Sequence, residues 1–273
     1  MTFKNLLVHV DSHGRAAERL DLAVALARRS GARLTGLFAE GQTLGAGLVG
    51  RRAPERMAQA AAEARAAFEA RVAGGGLGTA WWSLEPAEDG PLLGQVQVCC
   101  RYADLAILGQ REPEQPRAPA GLVEQAVLES GRPVLVIPYA GHFATLGRRV
   151  LVGWNGSREA ARALNDALPL LVAAESVLVQ AFQREPRGGS SGLPPLDVVA
   201  HLAAHGVQAS YEPSYVDGEG LDAADAMLNR ACDTGCDLIV TGAHAQAGLP
   251  AGRAGASTRK LVETMTVPVL FSR

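Results

Sequence analysis

Asp11 and Asn155 close two stretches that resemble each other, Phe3-Lys-Asn-Leu-Leu-Val-His-Val-Asp11 and Gly147-Arg-Arg-Val-Leu-Val-Gly-Trp-Asn155. A carboxylate where a strand gives way to a helix accepts hydrogen bonds from a purine amino group or a ribose hydroxyl. Asparagine keeps an acceptor and loses the charge. The competing assignment is local: Asp11 starts a turn, and Asn155, followed by Gly156 and Ser157, caps a helix. On residues alone the local assignment is favoured.

The second chemical segment is Gly242-Ala-His-Ala-Gln-Ala-Gly-Leu-Pro-Ala-Gly-Arg-Ala-Gly-Ala-Ser-Thr258. Small residues before a helix let backbone N–H groups approach a phosphate, and the helix dipole adds to the attraction. Ser257 and Thr258 offer hydroxyls, Arg253 a charge and His244 an imidazole. The alternative is a Gly/Ala-rich connection with Ser257 as N-cap. The counterpart in the first half runs from Gly109 to Gly121. Its three prolines remove N–H donors, and Glu112 and Glu114 repel an anion, so no phosphate site is expected there.

Other matches carry less. Gly45-Ala-Gly-Leu-Val-Gly50 is a literal G-x-G-x-x-G, but it follows the second strand rather than the first strand-helix turn. Gly188-Gly-Ser-Ser-Gly192 and Gly74-Gly-Gly-Leu-Gly78 are also misplaced for a phosphate. Cys99/Cys100 and Cys232/Cys236 lack a partner pair or histidine at zinc spacing, so buried small side chains are expected. His201 and His205 share a helix face without an acidic ligand and read as surface residues. No catalytic residue and no metal ligand is expected.

The elements that would position these residues follow from periodicity. Short apolar, β-branched runs alternate with helical patterns, the signature of βαβ units and a parallel sheet. Strands are expected near 4–10, 33–39, 79–85, 104–108 and 133–137, then 148–154, 176–182, 207–213, 237–241 and 267–271. Helices are expected near 15–30, 53–72, 89–100 and 121–130, then 157–172, 195–205, 219–234 and 256–265. The first helix of each set shows an apolar stripe: Leu22, Ala25, Leu26 and Arg29, and Ala160, Leu164, Ala167, Leu168 and Leu171. Glu40 to Arg52 and Arg187 to Gly192 read as mobile loops.

The two sets are one unit repeated. Asp11 and Asn155 lie 144 residues apart, Gly109 and Gly242 133 apart. Such a period is a duplicated domain, not a solenoid. The fold class is α/β with two tandem flavodoxin-like domains, residues 1–141 and 147–273, each a five-stranded parallel doubly wound sheet of order 3-2-1-4-5. That order opens a ligand crevice between strands 1 and 4. A fifth strand otherwise leaves an open edge, so the domains are expected to pair through their last strands about a pseudo-twofold axis.

The chain has 273 residues, 48% of them hydrophobic, and a net charge of −2. Residues 1–140 hold 15 basic and 15 acidic side chains and the remainder 11 and 13, so a nucleic-acid surface is not expected. No apolar run reaches the roughly 18 residues of a membrane span, and the N-terminus enters a strand without a leader pattern. A cytoplasmic protein is expected.

These strand endings, with the Arg132-Pro-Val-Leu-Val-Ile137 and Val267-Pro-Val-Leu-Phe271 closures, resemble the universal stress protein family, and the similarity spans both halves. The resemblance implies an adenine-nucleotide-hydrolase-like fold, non-enzymatic stress-response function through a ligand or protein partner, and homodimer or intramolecular pseudo-dimer formation. Its ATP-binding branch implies an adenine nucleotide (ATP, ADP or AMP), as a sensor or slow ATPase. The implied positions are Asp11, Asn155, Gly242, His244, Ala245, Gly255, Ala256, Ser257 and Thr258. Ala245 replaces the family's second loop glycine and Ala256 its Ser/Thr. A left-handed conformation at Ala245 would cost about 1 kcal/mol, and the missing hydroxyl about 1 kcal/mol more, so weak affinity is implied.

Overall fold

A computed structural model describes residues 2–41, 54–84, 92–114, 117–183, 197–215, 223–245 and 254–273. In the first half the order is β1 (Asn5–Val10), α1 (Ala16–Ser30), β2 (Arg33–Phe38), α2 (Pro54–Val72), β3 (Thr79–Ser83), α3 (Leu92–Cys100), β4 (Leu105–Gly109), α4 (Leu122–Glu129) and β5 (Val134–Ile137). The second half repeats it: β6 (Arg149–Trp154), α5 (Arg158–Leu171), β7 (Ser176–Gln183), α6 (Val198–Ala204), β8 (Ala209–Tyr215), α7 (Ala223–Thr234), β9 (Leu238–Gly242), α8 (Ala256–Thr264) and β10 (Val269–Ser272).

All ten strands form one sheet of order β3-β2-β1-β4-β5-β10-β9-β6-β7-β8. Each half has the expected order 3-2-1-4-5, and its strands are parallel. The halves meet at β5 and β10, which pair antiparallel. Leu135 faces Leu270, with Val136 opposite Val269 and Val134 opposite Phe271. The two Pro-Val-Leu closures thus pair about the Leu135–Leu270 position, the self-complementary register a twofold axis demands. The last strand of each half is buried by the other instead of forming an edge.

Alternation along the strands divides the core into two layers. Leu6, Val8 and Val10 face α1 and α2, while Leu7, Leu37 and Ala39 face α3 and α4. Helix ends are set locally. Gly31, at φ 62°, ends α1 and donates to the Ala27 and Arg28 carbonyls. Ser157 caps α5 by accepting from Ala160 N. Asp197 caps α6 through Val199 N and Ala200 N, so that helix starts later than its patterning suggested.

The stripe expected on α1 is corrected. Leu22 and Leu26 are buried as expected, but Ala25 and Arg29 are exposed, and the buried face also takes in Ala16, Arg19, Leu20, Ala23 and Ala27. On α5, Ala160, Leu164, Ala167 and Leu171 are buried as expected. Residues 42–52, including the Gly45–Gly50 motif, the Arg187–Gly192 stretch and Arg253 lie outside the described residues. Among the described residues no helix is long and apolar enough to cross a membrane.

Candidate functional site

Both halves bring the end of their first strand beside the end of their fourth, the switch point where doubly wound sheets take ligands. The two crevices differ in what fills them.

In the first half Asp11 is buried, 6% exposed. Arg19, from the first turn of α1, places Nη2 3.0 Å from Asp11 Oδ1 and donates through Nε to the His9 carbonyl at 2.7 Å. A Cβ on Gly109 would lie 1.9 Å from Arg19 Nη1, so Gly109 is glycine because the guanidinium lies against it. His13 pairs with Glu112 above this contact. The space left among these groups, Gln110 and Tyr139 is about 10 Å³, at most the room of one water. Burial alone would raise the Asp11 carboxyl, but Arg19 first and His9 second outweigh it and hold it below the ordinary carboxylate range. His9 is fully buried, hydrogen bonded through Nε2 to the Ala39 carbonyl, and burial pushes its imidazole below its usual value. The carboxylate expected to face a ligand is therefore spent on an internal ion pair.

In the second half the 144-residue offset that takes Asp11 to Asn155 takes Arg19 to Ala163, which is buried and cannot reach the crevice. A cavity of about 390 Å³ remains. Asn155, Gly242, His244, Gly255, Ala256, Ser257 and Thr258 all line it, with Trp154, Phe182 and Met227 as its apolar walls. The structure thus brings together seven of the nine sequence-derived positions. Asp11 lies in the other half, and Ala245 sits off the wall, exposed, in an isolated antiparallel bridge with Ala254.

The roles inside the cavity are partly those of the local assignments. Asn155 Oδ1 accepts from Ser157 N at 3.1 Å, a turn bond matched by Asp11 with His13 N. Ser157, not Asn155, is the cap of α5. Gly242 packs on α5: a Cβ there would lie 2.5 Å from Ala160 N and from the Glu159 carbonyl carbon. Thr258 is buried, and its Oγ1 accepts from His244 N at 3.2 Å. Gly255 N donates to the His244 carbonyl at 2.7 Å. Those two bonds tie both ends of the loop together. The N-cap of α8 is Gly255, not Ser257, which lies inside the helix. The first turn of α8 thus meets the cavity with a glycine, which has no side chain, as its cap.

Two residues were missed. Arg19 was legible as a cation on the buried stripe of α1, eight residues after Asp11. Glu159, beside Gly242, is 8% exposed; its Oε1 accepts from Arg158 Nε at 2.6 Å, and Oε2 lies 3.6 Å from His244 Nε2. Burial works to raise its carboxyl, but the Arg158 hydrogen bond and then His244 hold it below the usual range. Glu159 does not line the cavity itself; it lies behind His244, which does.

Among the described residues no group of three metal-ligating side chains converges. Cys100 and Cys236 are buried, Cys99 is half-buried and Cys232 exposed, which corrects the expectation of four buried thiols. Burial pushes the Cys100 thiol up to about 12. Gln110, directly after Gly109, donates to the Val262 and Glu263 carbonyls at the C-terminal end of α8 and accepts from Tyr139 N, tying the filled crevice to the helix that opens onto the empty one.

Residues 147–273 match the Universal stress protein family. No curated protein matches the chain. The fold is similar to a universal stress protein from Archaeoglobus fulgidus DSM 4304, with a TM-score of 0.71 and 15% identity over 98% of this chain and 96% of that one. It is also similar to a functionally unknown protein from Pseudomonas aeruginosa PAO1, with a TM-score of 0.59 and 17% identity over 99% and 92%. Residues 147–273 thus carry the sequence pattern of the Universal stress protein family, and the fold they adopt is repeated in the first half.

Proposed function

We propose that the protein is a non-enzymatic, cytoplasmic stress-response protein of two domains, residues 1–141 and 147–273, whose second-domain crevice takes an adenine nucleotide. The observation that carries this is the difference between the crevices: Arg19 leaves about 10 Å³ between Asp11 and Gln110, with separate hollows of about 240 Å³ against α1 and α2 and about 230 Å³ along Gly109–Gly121, whereas one cavity of about 390 Å³ joins Asn155 to the loop before α8. The apolar walls suit a base, and the glycine-capped first turn of α8 suits a phosphate. Asn155 supplies hydrogen bonding without charge, and His244 stands beside the loop. The first domain serves as the fixed half of an internal pseudo-dimer, and a further homodimer or a protein partner reads the ligand state. Asn155 gives up the charged acceptor that an acid would offer the base or ribose, and Ala256 gives up a loop hydroxyl, so affinity is modest. Ala245 lies off the cavity wall, which makes the glycine-to-alanine change there less costly to binding than the sequence implied.

The test is thermal stabilisation by Mg-ATP, Mg-ADP and AMP, together with phosphate release. A concentration-dependent upward shift lost in Gly255→Glu, without turnover, supports the proposal. Loop-dependent turnover would replace the non-enzymatic reading with a slow ATPase.

A further inference from the structure

A second cavity opens at the other end of the first half, away from both crevices. On one face of the sheet α2 backs β2 and β3; on the other, α3 packs against α4. That leaves a hollow of about 450 Å³ over the first residues of β1 and β2, beside Trp82 of β3. Leu7, Thr35 and Trp82 form its floor, and Val98, Cys99 and Tyr102 of α3 and its following turn form its wall. Trp82, Val98 and Tyr102 are 37, 47 and 74% exposed, three of the five large apolar side chains that are exposed among the described residues. Clustering of exposed aromatic surface around a concavity marks a binding site rather than scatter.

The second half supplies an internal comparison. Strand register places Trp82 opposite Leu37 and Glu212 opposite Gln180, so Glu212 occupies the Trp82 position. The inward pairs Val96/Cys100 of α3 and Met227/Ala231 of α7 place Arg230 at the Cys99 position. Glu212 and Arg230 form an ion pair, 2.5 Å between Oε2 and Nη2. One half seals this position with charge; the other keeps it apolar and open.

Two polar groups give the hollow a preference. Thr35 is 8% exposed and lines the hollow. Arg33, at the rim, has no carboxylate partner among the described residues, and Ser176 takes its register position in the second half. A hydroxyl on the lining can donate to an oxyanion, and a guanidinium matches a carboxylate.

We infer that this hollow binds a small aromatic carboxylate, its ring over Trp82 and Tyr102 and its carboxylate on Arg33 and the Thr35 hydroxyl. The site is independent of the nucleotide crevice.

The test is titration of the full chain with 2-naphthoate and with its neutral counterpart, 2-naphthamide, followed by calorimetry. The expected result is one saturable site preferring the carboxylate by about tenfold, unaffected by Mg-ATP. Arg33→Met, a rim change that leaves the core untouched, should cut that preference below about threefold. Trp82→Glu with Cys99→Arg, which installs the pair of the second half, should abolish binding with an unchanged circular dichroism spectrum. Absence of binding up to millimolar naphthoate, an unchanged preference in Arg33→Met, or a chain dimer that Tyr102→Glu dissolves would each overturn the inference.

Discussion

Arg19 Nη2 lies 3.0 Å from Asp11 Oδ1, and the 144-residue offset that takes Asp11 to Asn155 takes Arg19 to the buried Ala163. One pair of substitutions thus separates a filled crevice from an open one on the same fold. Both members of the ion pair are about 95% buried, so each depends on the other. Removing one charge from a buried pair costs roughly 3–5 kcal/mol, whereas replacing both by apolar groups is far milder. Arg19→Ala and Asp11→Asn should each show a loss of that order in denaturant unfolding. Arg19→Met with Asp11→Leu should recover most of it, and additive losses in the double variant would contradict the pairing.

Acid should weaken the protein through the same cluster. Burial keeps His9 neutral below its ordinary value of 6.5, so the unfolded chain binds a proton there that the folded chain refuses. Stability must then fall as pH drops below about 6.5, by at most about 1.4 kcal/mol per pH unit for one proton. Asp11 acts at lower pH. Its folded carboxyl lies below 3.8, so its contribution is complete above that value and is lost as pH falls through the folded one. A His9→Gln variant should show a flatter melting-temperature profile between about pH 7 and 5, while the Asp11 loss at lower pH persists. An unchanged profile would remove His9 from the account.

Gly242 and Gly255 should separate fold from site. A Cβ at Gly242 meets backbone of α5 at 2.5 Å, and backbone cannot step aside. Gly242→Ala should therefore destabilise by about 1–3 kcal/mol. At Gly255 the nearest atom is the His244 carbonyl oxygen at 3.2 Å, so Gly255→Ala should cost under about 1 kcal/mol while weakening ligand binding. Chemical unfolding of both variants, with and without Mg-ADP, reads the difference.

The strand order, all ten strands and the pairing of the last strands were legible because a doubly wound sheet writes each buried strand as a short apolar run and the repeat writes it twice. The position of the loop residues was legible for the same reason, since Gly242 and Thr258 flank a strand end and a helix start. What Asp11 does was not, because a carboxylate at a strand end looks the same whether it faces a ligand or a guanidinium. Arg19 decides between them, and the apolar stripe chosen for α1 passed it by. The part played by Thr258 was equally hidden: its hydroxyl turns back to His244 N, a contact across the loop that no local spacing encodes.

The Leu135–Leu270 register predicts how the second half behaves alone. Without β5, β10 would present its own Leu270 to a second copy in the same antiparallel register. A chain of residues 147–273 should elute as a dimer in light-scattering chromatography, and Leu270→Lys should dissociate it. A well-folded monomer at high concentration would show that β5 and β10 are not interchangeable.

The most direct measurement is calorimetric titration of the full chain with Mg-ATP, beside an Ala163→Arg, Asn155→Asp variant carrying the first-half plug. The account predicts one site per chain, of modest affinity, abolished in the variant. Two sites, or one site that survives the plug, would place the nucleotide elsewhere, and no heat up to millimolar Mg-ATP would contradict the nucleotide crevice itself.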